Sequence, residues 1–280
     1  MSVLGDEPRY VVNCSMLFTE LPLWQRPAAA RDAGFEAVEF WWPFASAVPG
    51  DAEVRAFVRA VDDAGVRLVA LNFTGGVMAA GERGVLSDPA RTRLFRDNVD
   101  VAVGIAEALG TKAFNALYGN AIGAADDEVA LENLAYAGRA AATVGATVLI
   151  EPLSGVETYP LRTAADAVAV LDRVACATSV TSLRLLADLY HLQVNGADLT
   201  SVIDTYAGRI GHVQLADAPG RGAPGTGDIE FGRHLAQLAD RGYRGHVSLE
   251  YHDNGPDPFA WLPRSLRSGS PWGDAGLRWS

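Results

Sequence analysis

Short apolar segments alternate with longer, alanine-rich amphipathic segments about eight times along this chain. Short runs of Val, Leu and Ile are typical of strands, and longer segments with an apolar stripe are typical of helices. Alternating strands and helices build a parallel sheet covered by helices, so the pattern predicts an α/β fold. The predicted strands are YVVNC, EAVEF, VRLVALN, KAFNAL, ATVLIE, SLRLLAD, RIGHVQL and HVSLEY.

The predicted helices carry start and stop signals. Several begin with Asp or Thr, whose side chains accept hydrogen bonds from the free amides of a first turn. Several end at Gly, which favours the left-handed conformation of a C-terminal cap. The predicted starts lie near Pro22, Asp51, Asp88, Asp126, Thr163, Asn195 and Asp228. The predicted capping glycines are Gly34, Gly65, Gly110, Gly145 and Gly242.

Two folds share this alternation, the (β/α)8 barrel and the doubly wound open sheet. The open sheet that binds dinucleotides has a glycine cluster after its first strand, whereas NCSMLFTE stands there in this chain. We therefore predict one (β/α)8 TIM barrel over residues 1–280, with a short N-terminal arm at about 1–8 and a loose tail at about 268–280.

Charge and composition narrow the classes of partner. A net charge of -11 and a pI near 4.9 argue against binding to nucleic acid or to an anionic membrane, because both require clustered Lys and Arg. Cys14 and Cys176 are too few for a disulfide framework, and we expect both to be buried thiols. The start MSVLGDEPR resembles no signal peptide, so we expect a cytoplasmic protein. A homo-oligomer is compatible with this sequence.

Four of the predicted strands carry an oxygen ligand as their last or next-to-last residue, where a parallel barrel opens to solvent. The side chains are Glu151, Asp188, Gln214 and Glu250. Strand ends of a barrel converge on one face, so these side chains are expected to meet. Three carboxylates and an amide are hard donors, which favour Mg²⁺ or Mn²⁺ over structural zinc. The sequence therefore predicts a metal site at the barrel mouth.

Each of these residues has a simpler interpretation. Glu151 precedes Pro152, which keeps it in extended backbone at the strand end and argues against a loop glutamate. Asp188 is also consistent with a helix N-cap that leaves His191 facing solvent. His212 is expected to be structural and to point away from the barrel interior, in contrast to Gln214.

Seven stretches distributed nearly from end to end carry a resemblance to known proteins. They are NCSMLFTELPLWQRPAAARDAGFEAVEFWWPF, AAGERG, LIEPL, DLYHLQ, GHVQLADAPGRGAPGTGDI, GYRGHVSLEY and AWLPRSLR. In these stretches the chain resembles the hydroxypyruvate isomerase family of xylose-isomerase-like barrels. For this family the resemblance implies a divalent ion at Glu151, Asp188, Gln214 and Glu250, and proton transfer by Glu151 and Glu250. The resemblance also implies that His191 and Arg221 lie near the substrate. Arg83 and Asn72 are further candidates for substrate binding, Arg83 for its charge and Asn72 for the loop that follows it.

Two loops depart from the family pattern. The loop SGVETYPLRT after Glu151 is shorter than the corresponding loop of typical members. The loop FTGGVM after Asn72 lacks the Pro-Ala-Gly motif of the family. Both loops are expected to line the substrate pocket. The reaction class is therefore better determined than the substrate.

The chemistry of carbonyl migration requires both parts of the predicted site. Carboxylates on opposite faces move the protons, and a divalent ion stabilises the enediolate oxyanion. Three ligand carboxylates around a dication leave about one negative charge, which repels an acidic substrate unless cations stand nearby. Arg221, His191 and Arg83 are candidates for that role. The expected substrates are hydroxypyruvate and tartronate semialdehyde, or an oxo-tetronate.

Three alternatives share the barrel. An epimerase or dehydratase of neutral sugars or polyols would not need a carboxylate-binding arginine. An abasic-site endonuclease would need more His and Asp ligands and a basic groove, which five His and a net charge of -11 do not favour. A binding barrel without metal is the third.

Overall fold

The computed structural model describes residues 8–123, 125–253, 255 and 257–268. The predicted N-terminal arm and the predicted tail lie outside the described residues, apart from residues 8 and 268. None of the helices in the described part is both long enough and apolar enough to cross a membrane.

Eight parallel strands form a closed barrel in sequential order, and the last strand pairs with the first. The predicted α/β barrel is therefore confirmed. Each strand lies within its predicted segment, except that β1 begins one residue earlier, at Arg9, because short apolar runs bounded by loops are a local signal. The strands are β1 (Arg9–Asn13), β2 (Ala37–Phe40), β3 (Arg67–Asn72), β4 (Ala113–Asn115), β5 (Thr147–Ile150), β6 (Leu183–Asp188), β7 (Ile210–Leu215) and β8 (His246–Leu249).

Helices follow the strands as predicted, and each predicted start lies within four residues of the first residue of an observed α-helix. Asn195 does not begin a helix, because its side chain donates to the carbonyls of Leu153 and Arg162 instead of capping a first turn. The helices on either side of it begin after Asp188 and Asp198, whose carboxylates accept from first-turn amides. The α-helices are α1 (Arg26–Asp32), α2 (Asp51–Ala64), α3 (Thr92–Leu109), α4 (Asp127–Thr143), α5 (Ala164–Ala177), α6 (Leu189–Val194), α7 (Leu199–Tyr206) and α8 (Phe231–Asp240).

The predicted capping glycines all have positive φ. Gly65 and Gly110 are the clearest, with φ of 65° and 73° directly after α2 and α3. A residue with a Cβ is strained in this region, so glycine ends these helices and turns the chain back toward the next strand.

The core has two parts. A large cluster lies between the sheet and the helices, and it includes Phe73, which stacks on Phe114 with ring centroids 5.0 Å apart. A small cluster of Val11, Ala37, Val69 and Ala70 packs apart from it. Interior positions of a barrel alternate with outward ones along each strand. The small cluster therefore occupies positions nearer the start of the strands, and the buried polar side chains follow it at the carboxyl ends of the strands.

The two cysteines differ in exposure. Cys14 is fully buried, as expected, and burial raises the pKa of its thiol. Cys176 is exposed in the last turn of α5, so its predicted burial is wrong. It lies on the solvent side of an amphipathic helix, a position that the local composition does not reveal.

Candidate active site

One polar side chain stands at the carboxyl end of each barrel strand, and all eight are buried. Six are strand residues, and Glu151 and Glu250 directly follow the last residues of β5 and β8. Because parallel strands end on one face of the barrel, these side chains form one polar ring. The polar ring consists of Asn13, Glu39, Asn72, Asn115, Glu151, Asp188, Gln214 and Glu250.

Asp188 has two separate functions for its two oxygens. Oδ1 accepts from the amides of Tyr190 at 2.8 Å and His191 at 3.2 Å, which caps α6. Oδ2 is buried and has no hydrogen-bond partner. Arg221 Nη2 at 3.9 Å and His191 Nε2 at 3.6 Å are its nearest cationic or polar neighbours. A buried carboxylate oxygen without a hydrogen bond is costly, so Oδ2 is a candidate ligand of a cation. The N-cap interpretation and the ligand prediction are therefore compatible.

Gln214 is held by the buried carboxylate of Glu39. Its Nε2 donates to Glu39 Oε1 at 2.6 Å, and its Oε1 is buried without a partner. Asn13 Nδ2 donates to the same Oε1 at 2.8 Å. Burial alone would raise the pKa of Glu39, but the proximity of His212 and these hydrogen bonds lower it below its ordinary value. Glu39 is therefore an ionised acceptor.

The predicted orientation of His212 is wrong. Its Nε2 lies 2.6 Å from Glu39 Oε2, and the side chain is only 3% exposed. His212 and Gln214 are two residues apart on β7, and side chains of a strand repeat every two residues, so both point into the barrel. His212 precedes Gln214 by two residues on β7, so it lies deeper in the barrel than the polar ring, and we interpret it as a structural residue.

Glu250 is surrounded by donors. Oε1 accepts from Arg221 Nη2 at 2.6 Å and from Trp41 Nε1 at 3.3 Å. Oε2 accepts from Asn13 Nδ2 at 3.2 Å. A carboxylate has about four lone-pair positions, so Oε2 keeps room for a further partner. Burial raises the pKa of Glu250 well above its ordinary value, although Arg221 opposes the shift.

Glu151 is a buried carboxylate with a strongly shifted pKa. Asn115 Nδ2 donates to Oε2 at 2.6 Å, and Tyr159 donates its hydroxyl to the Glu151 carbonyl at 3.0 Å. Burial and the nearby charge of Asp188 raise the pKa of Glu151 to about 8. A carboxyl group with a pKa near neutrality can both give and accept a proton under physiological conditions.

His191 is buried, and its hydrogen bonds determine its tautomer. Nδ1 accepts from the Ser154 amide at 3.1 Å and lies 2.7 Å from the Ser154 hydroxyl. Burial lowers the pKa of His191, so the ring is neutral with its hydrogen on Nε2. Nε2 lies 3.6 Å from Asp188 Oδ2 at the mouth. His191 therefore offers a hydrogen-bond donor to the pocket.

Arg221 occupies an unusual backbone conformation. Its φ is 57°, and among the described residues only Phe18 is another non-glycine with positive φ. Such a residue is strained, and surrounding contacts must maintain it. Arg221 Nε also donates to the Glu250 carbonyl at 3.3 Å, and the guanidinium lies over the Tyr190 ring at 5.5 Å.

The loop that carries Arg221 is organised by a buried carboxylate. Asp217 Oδ1 accepts from the amides of Ala218 at 2.9 Å and Ile229 at 3.0 Å. Asp217 Oδ2 accepts from the Gly225 amide at 2.8 Å. Bonds on both sides of the loop close it and fix Arg221 against the mouth.

Arg83 approaches the pocket from the loop after β3. Its Nη1 donates to the carbonyls of Met78 at 3.1 Å and Glu82 at 2.7 Å. The Arg83 amide donates to Asn120 Oδ1 at 2.8 Å, which attaches this loop to the one after β4. The guanidinium is therefore held at the pocket wall.

A cavity of roughly 390 Å³ opens over the polar ring. Its lining includes six of the predicted site residues, while Asp188 and Gln214 lie buried beneath it. The structure therefore brings together all eight residues predicted from the sequence. The six lining residues are Asn72, Arg83, Glu151, His191, Arg221 and Glu250.

The mouth has the properties of a cation site. Ligand atoms of Glu151, Asp188 and His191 lie within 4.8 Å of one another. Because the His191 hydrogen is on Nε2, we favour the buried oxygens of Asp188 and Gln214 as partners of a cation over this nitrogen. Burial and, after it, the nearby charge of Asp188 raise the pKa of Glu151, a cost that a cation would relieve. These oxygens fit a hard divalent ion.

Sequence reasoning missed Asn13, Glu39 and Asn115, which complete the polar ring. The same signal marks them, a polar residue at or next to the end of an apolar strand, as in YVVN, AVEF and AFN. Trp41 and Asp217 had no comparable signal, because their roles depend on contacts with distant residues.

Comparison with known proteins gives consistent results. The family model described as a xylose isomerase-like TIM barrel matches residues 27–269. A relative from Streptomyces coelicolor named putative hydroxypyruvate isomerase is 50% identical, covering 94% of this chain and 98% of the relative. A relative from Cupriavidus necator named 2-oxo-tetronate isomerase is 34% identical, covering 87% of this chain and 92% of the relative.

A solved structure is similar over nearly the whole chain. It is titled as an AP endonuclease, family 2, from Brucella melitensis. It superposes with a TM-score of 0.82 at 34% identity and covers 91% of this chain and 98% of that chain. The barrel and its length are therefore shared with proteins of more than one described activity.

Proposed function

Because the chain belongs to the hydroxypyruvate isomerase group of the xylose isomerase-like TIM barrel family, we propose that it is a metal-dependent isomerase of a small hydroxy-oxo acid. The reaction is hydroxypyruvate to tartronate semialdehyde, or 2-oxo-tetronate to 3-oxo-tetronate. The observation that carries the proposal is the pair of buried glutamates, Glu151 and Glu250, in one pocket above unpartnered ligand oxygens.

The proposed ligands of the ion are the four oxygen donors Glu151, Asp188, Gln214 and Glu250. Asp188 Oδ2 and Gln214 Oε1 support this set most directly, since both are buried without a partner. Hard oxygen donors favour Mg²⁺ or Mn²⁺. When bound, such an ion polarises the substrate carbonyl and stabilises negative charge on its oxygens.

Glu151 and Glu250 are the proposed proton-transfer pair. Carbonyl migration removes a proton from one carbon and delivers one to the neighbouring carbon, which requires a base that becomes an acid. Both glutamates have raised pKa values and line the pocket. Asn115 orients Glu151 through Oε2, and Arg221 orients Glu250 through Oε1. Each carboxyl group is therefore held in a defined position before substrate binds.

Arg221 and Arg83 are the proposed receptors of the substrate carboxylate, with His191 as a hydrogen-bond donor. Guanidinium groups bind carboxylates with two parallel hydrogen bonds. Arg221 already pairs with Glu250, and Arg83 uses only Nη1 on its own loop. Asn72 lines the same cavity and is proposed to contact the substrate. Two cations offset the negative charge of the carboxylates toward an anionic substrate.

The proposal is tested by measuring bound metal and turnover on a panel of substrates. The panel contains hydroxypyruvate, a 2-oxo-tetronate, a neutral ketose and abasic-site DNA, each with Mg²⁺, Mn²⁺ or a chelator. We expect the protein to turn over one of the acids. A chelator should abolish this turnover, and addition of Mg²⁺ or Mn²⁺ should restore it. Turnover of the ketose alone would indicate a sugar epimerase or isomerase, and cleavage of the DNA would indicate an endonuclease. Turnover of an acid that resists the chelator would refute metal dependence.

A further inference from the structure

Glu39 is a buried carboxylate to which the reaction above assigns no step. It lies on β2 and is 1% exposed. It accepts hydrogen bonds from both Gln214 and His212 across the barrel, each at 2.6 Å. We propose that Glu39 is a positioning residue, which turns the Gln214 amide so that its oxygen faces the metal site. This role rests on the metal-dependent function proposed above.

The orientation of a glutamine amide is not determined by its shape, because its oxygen and nitrogen ends are nearly equal in size. Its hydrogen bonds must select one of two positions. An ionised carboxylate only accepts, so Glu39 selects the amide NH₂ of Gln214. The amide oxygen must then face away from Glu39, and it is the buried atom without a partner.

Glu39 itself is fixed by a second set of donors. Asn13 Nδ2 donates to Glu39 Oε1 at 2.8 Å, and Asn13 Oδ1 accepts from the Ser15 amide at 2.9 Å. The amide of Asn13 is therefore also held in one orientation. The same Nδ2 lies 3.2 Å from Glu250 Oε2. Through Asn13, Glu39 is connected to a second proposed ligand.

The charge of Glu39 has a further effect on Gln214. A carboxylate beside the NH₂ group polarises the amide, so the amide oxygen carries more negative charge and becomes a better electron-pair donor to a metal ion. Carboxylates behind metal-binding histidines act in the same way, and losing them typically weakens metal affinity about 10- to 100-fold. A variant that removes the negative charge of Glu39 and keeps its shape tests the orientation and the polarisation of the Gln214 amide together.

Glu39→Gln is the first test. The new amide can place its NH₂ group toward either Gln214 or His212, whereas a carboxylate only accepts, so the orientation of the Gln214 amide is no longer imposed and the charge behind it is lost. We expect Mn²⁺ affinity to fall about 10- to 100-fold, measured from the signal of free Mn²⁺ in electron paramagnetic resonance. Thermal unfolding of the metal-free protein is measured in parallel, to show that the barrel is intact.

The exchange Glu39→Gln with Gln214→Glu is the second test. It reverses the hydrogen bond between the two side chains, keeps the total charge and again leaves an oxygen facing the site. We expect it to restore most of the lost Mn²⁺ affinity. Ser248→Ala is the matched control, because Ser248 pairs with Gln214 in the β7–β8 register and its hydroxyl is buried without a partner. Its Mn²⁺ affinity should equal that of the wild type.

Three results would overturn the proposal. Glu39→Gln with wild-type Mn²⁺ affinity would show that Gln214 does not need Glu39, while the proposed function stands. A folded exchange variant that binds Mn²⁺ no better than Glu39→Gln would also refute the orientation of Gln214 by Glu39. If Glu39→Gln does not fold, a folded exchange variant that binds no Mn²⁺ would refute it. A wild-type protein that binds no Mn²⁺ would refute the metal site and the role of Glu39 together.

Discussion

Replacement of Asp188 separates the two functions of one carboxylate. Asn at this position keeps an oxygen that can accept from the amides of Tyr190 and His191, and replaces Oδ2 with a group that cannot bind a cation. Ala removes both. We therefore expect both variants to lose divalent-ion binding and the barrel to remain folded, with only Asp188→Ala losing the cap of α6.

The size of each effect follows from these contacts. Loss of a helix N-cap costs about 1 kcal/mol, which for a domain of roughly this size lowers Tm by about 2–4 °C. Both variants remove the same buried charge, so the difference between their Tm values measures the cap. Binding of an ion at about 100 times its Kd stabilises a protein by about 2.7 kcal/mol. Addition of Mn²⁺ should therefore raise the wild-type Tm by about 5–11 °C and leave both variants unchanged.

Differential scanning calorimetry with and without Mn²⁺, together with titration of the ion, measures both quantities. Asp188→Asn with wild-type Mn²⁺ affinity would show that Oδ2 is not a ligand. Equal Tm values for metal-free Asp188→Asn and Asp188→Ala would show that the Oδ1 contacts do not stabilise α6.

Three further predictions concern the pocket. Glu151→Gln and Glu250→Gln should each lower kcat about 10²- to 10⁴-fold, because an amide cannot transfer a proton, whereas the exposed control Glu157→Gln should not; a variant with near-normal turnover would lose its acid/base role. Arg221→Lys should raise KM for an acid substrate more than KM for a neutral ketose, since lysine keeps the charge without the two-pronged geometry, while a weakened contact with Glu250 should lower kcat on both; an equal rise of KM on both substrates would assign Arg221 to loop structure. Gly84→Ala should raise KM with metal affinity unchanged, because Gly84 follows Arg83, has φ of 104°, and an added Cβ would overlap the Leu117 carbonyl and displace the loop that carries Arg83; unchanged kinetics would show that the loop adjusts.

The barrel and most of its mouth follow from local sequence patterns. A strand such as β6 is a short apolar run, and its last residue, Asp188, is polar because the barrel opens there. In all eight strands a polar residue lies at the last position or within one residue of it, so the whole polar ring is readable from the sequence, including Glu39. Helix ends at Gly65 and Gly110 were equally readable, since the left-handed cap is a local requirement.

Which members of the polar ring contact each other was decided only by closure of the barrel. Glu39 and Gln214 are 175 residues apart in sequence, and Arg221 reaches Glu250 only because a loop bound by Asp217 holds it in strained backbone. Strand periodicity states which face a side chain occupies, but the distance across the barrel depends on the packing of all eight strands. The sequence by itself therefore determined the fold and the donors at its mouth, while the tertiary structure decided which oxygens are occupied and which remain free for a cation.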